Sequence, residues 1–177
     1  MGPKARLDLR HLVIFAMLGT IQFAAKQALE ILPNVELIST LTMVYTLVYR
    51  RRALIPISLF ILMEGVLWGF AVWWVPYLYL WPLLWALTMA LPKRIPGWLR
   101  IPVYAGTCAL FGLCYGSLYA PWQAVAFLGW NPDKLLAWIV AGLPWDVTHA
   151  IGNLALGSLI VPLTELLQDL ERRVIRV

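Results

Sequence analysis

A chain of 177 residues that is 62% hydrophobic and only 13% charged lies far from the soluble average of about 25% charged. One aqueous core of this size cannot hide so much apolar surface, and no separate soluble catalytic module is expected within these 177 residues. The formal net charge of +5 would direct a soluble protein toward an acidic partner such as nucleic acid; here the placement of the cations reads as membrane topology, and no nucleic-acid partner is expected.

Twelve of the fourteen Lys and Arg residues fall in four clusters: Lys4/Arg6/Arg10, Arg50/Arg51/Arg52, Lys93/Arg94/Arg100 and Arg172/Arg173/Arg176. Between successive clusters lie apolar stretches long enough to cross a bilayer and return. Basic residues favour the cytoplasmic side of short membrane loops, so each cluster marks a return to one face. Three out-and-back excursions predict an all-α membrane protein, a six-transmembrane-helix bundle with both termini cytoplasmic, in a single integral-membrane domain.

The first predicted span covers about residues 11–32, and Pro33-Asn34 turns the chain on the outer face. The second covers about 35–49 and is stopped by the three arginines; the third covers about 53–75 and ends in Trp73-Trp74. The fourth covers about 77–91, with Tyr77, Tyr79 and Trp81 as an interfacial aromatic belt. The loop 92–100 carries Pro92, Pro96 and Gly97 and is read as non-helical. The fifth span covers about 101–120. Residues 121–143, broken by Gly129-Trp130-Asn131-Pro132-Asp133, are read as an outer loop with a short helix around 134–141. The sixth span covers about 144–167; alternatively 135–143 begins that helix and Pro144 kinks it. No tandem or inverted repeat is visible, and the basic N-terminus runs into a full span without a cleavage site, so no signal peptide is expected. Cys108 and Cys114 lack a metal-type spacing and read as inert buried thiols.

Ionisable residues within apolar spans are costly and mark candidate sites. Gln22, Lys26 and Glu30 recur at steps of four and share one stripe; Lys26 and Glu30 either pair with each other, snorkel outward or meet a ligand. Glu64, near the middle of the third span, must be protonated, paired with a cation such as Lys26, or wetted by a cavity. Asp146, His149 and Asn153 lie three and four apart, on one face of the last helix, flanked by Trp145 and Gly152. Three readings stand for that face: a pocket for a small polar ligand, a structural clamp at Pro144, or a proton relay or metal site. His11 sits near the opposite membrane face, so the two histidines do not jointly ligate a haem, and no metal or cofactor is expected. Ala16, Thr20 and Ala24, with Gly19 and Ala25 beside them, form a small-residue face on the first helix that lets another helix approach closely. Spacing alone does not say whether that helix belongs to this bundle or to a partner. The phosphate-cradling, HExxH and GxSxG motifs are absent. No enzymatic activity is expected, and a transporter without its own nucleotide site must use ion coupling or borrow an ATPase.

Over nearly its whole length the chain resembles the substrate-binding S components of energy-coupling factor (ECF) transporters. The strings ALEILPNVEL at 28–37 and GLPWDVTHAIGN at 142–153 carry the likeness, supported by GFAVWW at 69–74 and YLYLW at 77–81. The resemblance implies a six-helix subunit of the bacterial plasma membrane that captures a vitamin or related micronutrient from outside. It implies as partners a transmembrane coupling protein and two cytoplasmic ABC-type ATPases, with the S component toppling in the membrane to deliver its ligand. The family's Ala-x-x-x-Ala docking motif corresponds to Ala16 and Thr20, with Thr in the second place; Thr20 and Ala24 offer a second register, with Gly19 alongside. By position the resemblance points to Pro33, Asn34 and Glu36 as a lid, and to Tyr77, Trp81, Trp122, Asp146, His149 and Asn153 as the pocket lining. Two rival readings are a Trp-rich sensor resembling the translocator/tryptophan-rich sensory proteins, suggested by ten Trp, and an intramembrane enzyme using Asp146 and His149 as an acid–base pair. The five spans of the sensory proteins would put the termini on opposite sides, against the basic residues at both ends.

Overall fold

The computed structural model describes residues 8–175; Lys4, Arg6 and Arg176 of the basic clusters, and both chain ends, lie outside the described residues. All regular structure among them is helical. The α-helices are α1 (Leu9–Leu29), α2 (Ile38–Tyr49), α3 (Leu54–Trp68), α4 (Tyr77–Ala90), α5 (Gly97–Leu113), α6 (Tyr115–Gln123), α7 (Pro132–Gly157) and α8 (Ile160–Ile175). Short 3-10 turns at Arg50–Ala53 and Val72–Trp74 and a wide π-helical turn at Ala124–Leu128 complete the path. Three segments are long and apolar enough to cross a membrane: Leu9–Leu29, Gly97–Leu128 and Pro132–Gly157.

The solvent preference of this molecule is inverted. Leu12, Val13, Met17 and Ile21 on α1 and Leu136, Val140, Val147, Ile151 and Leu154 on α7 point outward, while Gln22, Thr42, Thr46, Glu64, Asp146, His149 and Asn153 are buried. Apolar surface on this scale requires a covering that water does not provide. The described residues therefore form an all-helical protein of membrane character.

α2 is the axis around which the rest is arranged. It packs on α4 and α8 and also touches α1, α3, α5 and α7, and nine of its side chains are buried. Several of its polar side chains are satisfied locally or by a neighbour, although the buried Tyr49 hydroxyl has no hydrogen-bond partner. Thr46 Oγ1 donates to Thr42 O at 2.6 Å, and Gln22 of α1 donates to Thr42 Oγ1 at 2.9 Å. Tyr45 reaches back to Leu18 O at 3.0 Å.

The most extensive helix packing is of α5 with α7 and of α1 with α3, and glycine permits close approach in both. A Cβ on Gly157 would stand 2.9 Å from Ala105 Cα, and one on Gly112 would stand 3.1 Å from His149 O. A Cβ on Gly19 would meet Leu59 of α3 at 2.9 Å. Gly19 is thus turned into the bundle, whereas Ala16, Thr20 and Ala24 remain exposed. The small-residue face expected from spacing is two faces: one used within this chain, one open.

Several boundaries differ from the sequence expectation, each for a local reason. The turn between α1 and α2 is wider than Pro33-Asn34, taking in residues 30–37. α3 stops at Trp68 because Gly69 adopts φ +92°, a conformation that ends a helix and that glycine tolerates; Trp73 and Trp74 lie in a separate turn. α5 begins at Gly97, so residues 97–100, expected as loop, are helical. The largest correction concerns 121–143. The chain stays helical through Leu128, turns at Gly129 (φ +64°) and Trp130 (φ +57°), and restarts at Pro132. Asn131 caps the new helix by accepting from Lys134 N at 3.0 Å, and Pro132 occupies its first turn, where the missing N–H costs nothing. α7 then continues through Pro144 to Gly157. The expected single helix over 144–167 is interrupted at Ser158-Leu159, where Ser158 Oγ bonds Ala155 O at 2.6 Å, and α8 starts anew.

The basic clusters converge. Arg50, Lys93, Arg94 and Arg100 line one cavity, and Arg50, Arg51, Arg52 and Lys93 meet Glu171 of α8 in an adjoining one. The start of α1 also lies beside Glu171. That end of the bundle is separated from the α1–α2 turn by the length of α1, roughly 30 Å at about 1.5 Å per residue.

Candidate functional site

At the end remote from the cations the α1–α2 turn closes over a cavity of about 290 Å³. α1 ends at Leu29, and Leu32 N and Val35 N bond back to Leu29 O (2.9 Å) and Leu32 O (3.2 Å). Asn34 takes φ +56°, the left-handed region that Asn tolerates better than most residues. This turn lays the backbone of Asn34 and Val35 onto α7 at Gly152, where an added Cβ would stand 3.3 Å from Asn34 O. Glu36 is thereby carried inward. Its Oε1 accepts from Ser39 Oγ at 2.5 Å and lies 3.0 Å from His149 Nε2.

The floor is aromatic. Tyr77 and Trp81 of α4 meet edge to face at 5.6 Å, Trp81 and Tyr115 are 6.1 Å apart, and Tyr115 meets His149 edge-on at 5.0 Å. Such contacts hold rings rigidly at separations where the quadrupoles attract. Trp81 is only 1% exposed and lines the cavity, yet its indole N–H has no hydrogen-bond partner. Buried donors are rarely left so.

The remaining wall carries charge. Lys26 Nζ pairs with Glu64 Oε2, whose carboxylate is fully buried, and Gln27 Nε2 donates to Glu64 Oε1 at 3.5 Å. Lys26 Nζ also lies 5.8 Å from the Trp73 ring and 5.7 Å from the Tyr77 ring, within cation–π range. Of the options open to Glu64, pairing with Lys26 is the one adopted. Lys26 does not pair with Glu30, which instead stands exposed at the cavity rim.

Asn34, Glu36, Tyr77, Trp81 and His149 all line this cavity. Asp146, Asn153 and Trp122 do not. Asp146 Oδ1 accepts from Gly116 N at 3.0 Å, so this carboxylate joins α7 to α6. Asn153 Nδ2 donates to Cys108 O at 3.2 Å and Ser39 Oγ at 3.3 Å, joining α7 to α5 and α2. Through Ser39 it supports Glu36 from behind. Trp122 Nε1 donates to Val72 O at 2.8 Å, tying α6 to the turn before α4. Thus the Asp146/His149/Asn153 face divides: His149 meets the cavity, and its neighbours hold helices together. Asp146 and His149 bond to different partners rather than to each other.

Tyr115, Ser39 and Lys26 are the residues that the positional reading of the pocket omitted. Tyr115 had a signal: Phe111, Tyr115 and Tyr119 form an aromatic stripe at steps of four. Ser39 had none, because its role depends on Glu36 and Asn153 meeting across three helices. Among the described residues no group of three or more His, Cys, Asp or Glu converges as a metal site. No family model, curated protein or solved structure matches the chain.

Proposed function

We propose that this protein is the substrate-capture subunit of an importer, resembling an ECF S component, and that the cavity beneath the α1–α2 turn takes a small aromatic micronutrient from outside. One observation carries the reading: a cavity at the end opposite the basic clusters, walled by Tyr77, Trp81 and Tyr115 and carrying Lys26, Glu36 and His149, with the buried Trp81 indole N–H unpartnered. Its volume of about 290 Å³ lies at the lower limit of small-molecule pockets, about 300–1,000 Å³, which fits a vitamin-sized heterocycle better than a porphyrin or sterol.

In this reading the chain crosses the membrane six times. α1, α3 and the α5–α6 segment run outward, and α2, α4 and the α7–α8 segment return, bringing the cation clusters to the cytoplasmic face of a bacterial plasma membrane with both termini inside. Loops bearing Lys and Arg favour that side, and the convergence of Arg50, Lys93, Arg94 and Arg100 supports it. The ligand ring stacks among the aromatics, its polar edge meets the Trp81 N–H and the Glu36–His149 pair, and the turn at Asn34 shields it from water. Energy comes from partners: a transmembrane coupling protein docks on the exposed Ala16/Thr20/Ala24 face, and its two ATPases supply the hydrolysis.

The test is mass spectrometry of small molecules that survive purification of the wild-type chain, repeated on Trp81→Ala. A heterocycle present in the first and absent from the second supports the assignment. If no small molecule is retained, and none of a panel of flavin-, thiamine-, pterin- and purine-type compounds raises the Tm, the assignment fails.

A further inference from the structure

The end of the bundle away from this site holds a second, larger cavity, of about 640 Å³. It is bounded by the last turns of α2 and α4, the 92–96 connection, the first turn of α5 and the middle of α8. Arg50, Lys93, Arg94 and Arg100 line it, with Thr164 and Gln168 of α8 as its neutral polar groups. No Asp or Glu lines it. Glu165 neutralises one of the four cations, bonding Arg100 Nη1 at 2.8 Å. Arg50 Nη2 is directed to Met89 O at 3.4 Å, Glu171 lies in the adjoining cavity beside Arg50, Arg51, Arg52 and Lys93, and Lys93 and Arg94 have no ion-pair partner within 4 Å among the described residues.

Thr164 marks the cavity as built rather than incidental. It is 4% exposed, and its hydroxyl has no hydrogen-bond partner. Thr20, Thr46, Thr88, Thr107 and Thr148 all donate to the carbonyl one helical turn earlier, at 2.6–3.0 Å. Among the described buried threonines Thr164 alone is left with an orphaned oxygen, and the residue lines the cavity together with the cations. A buried hydroxyl without a partner costs about 1–3 kcal/mol. α5 also begins here, at Gly97, with Pro96 as an N-cap that offers no side-chain bond. The N-terminal end of a 17-residue helix adds positive potential and free N–H groups.

We infer that this cavity binds a phosphate-bearing anion, with Lys93, Arg94 and Arg50 supplying the charge and the Thr164 hydroxyl donating to a phosphate oxygen. An anionic phospholipid headgroup and free phosphate offer the same chemistry. Basic pockets between membrane helices are suited to such headgroups, and the guanidinium fork matches phosphate oxygens.

The experiment uses the full chain, purified in detergent and stripped of lipid. Native mass spectrometry measures retention of phosphatidylglycerol against phosphatidylcholine. Thermal unfolding is followed in sodium phosphate against sodium chloride at equal ionic strength. Both measurements are repeated on Lys93→Gln/Arg94→Gln, whose positions are exposed, and on Thr164→Val. Retention of phosphatidylglycerol over phosphatidylcholine, reduced about 30-fold in the double variant at about fivefold per charge, with phosphate failing to displace it, identifies a lipid headgroup. Stabilisation by phosphate but not chloride, lost in the double variant, with no lipid preference, identifies the free anion. In either case Thr164→Val raises the Tm of the empty protein and diminishes the stabilisation by the anion. Equal retention of both lipids together with equal Tm in both salts overturns the inference, as does a double variant that behaves as wild type.

Discussion

Glu36 and His149 stand 113 positions apart in the chain and meet at 3.0 Å, closing the α1–α2 turn onto α7 directly over the aromatic floor. Ser39 shares the same carboxylate oxygen at 2.5 Å, and Asn153 braces Ser39. The lid and the lining of the proposed pocket are therefore one hydrogen-bonded unit rather than two. Hydrogen bonds involving charged groups contribute about 1.5–3 kcal/mol each. His149→Ala and Glu36→Gln should each weaken binding of the co-purifying compound by about 10–100-fold, read by isothermal titration, with helical content unchanged by circular dichroism. Affinities equal to wild type would make the pair purely structural.

Asp146 behaves differently, because its partner is the Gly116 backbone and not the cavity. A Cβ on Gly116 would stand 2.5 Å from Asp146 Oδ2, so Gly116→Ala displaces the Asp146 carboxylate from its bond to the Gly116 N–H. Overpacking of this kind costs about 1–3 kcal/mol. Gly116→Ala and Asp146→Ala should both lower the Tm while leaving ligand affinity within about twofold, the spread expected of sites without a direct contact. A large loss of affinity at normal Tm would put Asp146 back in the pocket.

The Lys26–Glu64 pair is asymmetric, with the lysine side chain 28% exposed and the glutamate 0%. Removing the cation strands a carboxylate without solvent, whereas removing the carboxylate leaves a lysine that can extend outward. Lys26→Met should therefore cost about 3–5 kcal/mol, Glu64→Gln distinctly less, and Lys26→Met/Glu64→Leu should recover much of the loss. Thermal unfolding in one detergent orders the three variants; equal effects of the two single changes would contradict the burial argument.

Gly19 and Ala16 test the two faces of α1. Gly19→Leu drives a side chain into Leu59 and should lower the Tm, by an amount comparable to other overpacked cores, about 1–3 kcal/mol. Ala16→Leu and Thr20→Leu point away from this bundle and should leave the Tm unchanged while abolishing co-purification with the coupling protein and ATPases proposed above. Assembly that tolerates both bulky residues would move the docking surface elsewhere.

The helices, the membrane character and the polar positions worth inspecting were legible in the chain because hydropathy, cation spacing and helical period are local properties. The fourth apolar stretch predicts a helix over 77–91 and α4 spans Tyr77–Ala90, and Lys26 is one partner that the depth of Glu64 calls for and the one that it finds. In the 121–143 stretch the expected outer loop is replaced by helix up to Leu128, whereas the alternative in which 135–143 begins the last helix agrees with α7. The string Gly129-Trp130-Asn131-Pro132-Asp133 resembles a longer loop. It is a two-residue turn between helices, and its decisive element is the Asn131 cap on a proline-initiated helix. Even that signal was present locally.

What no local rule contained was partnership. Asp146, His149 and Asn153 share a helix face by spacing alone, but whether each meets a ligand or another helix depends on Gly116, Glu36 and Cys108, supplied by three other segments. The same holds for Gly19 against Ala16, and for Trp122, whose indole is taken by Val72. A helical period of 3.6 residues assigns a side to each side chain, and that much belongs to the sequence. Which neighbour occupies that side is set by how closely the backbones approach. Only the packed bundle decides that, because the approach depends on glycines and partners far apart in the chain.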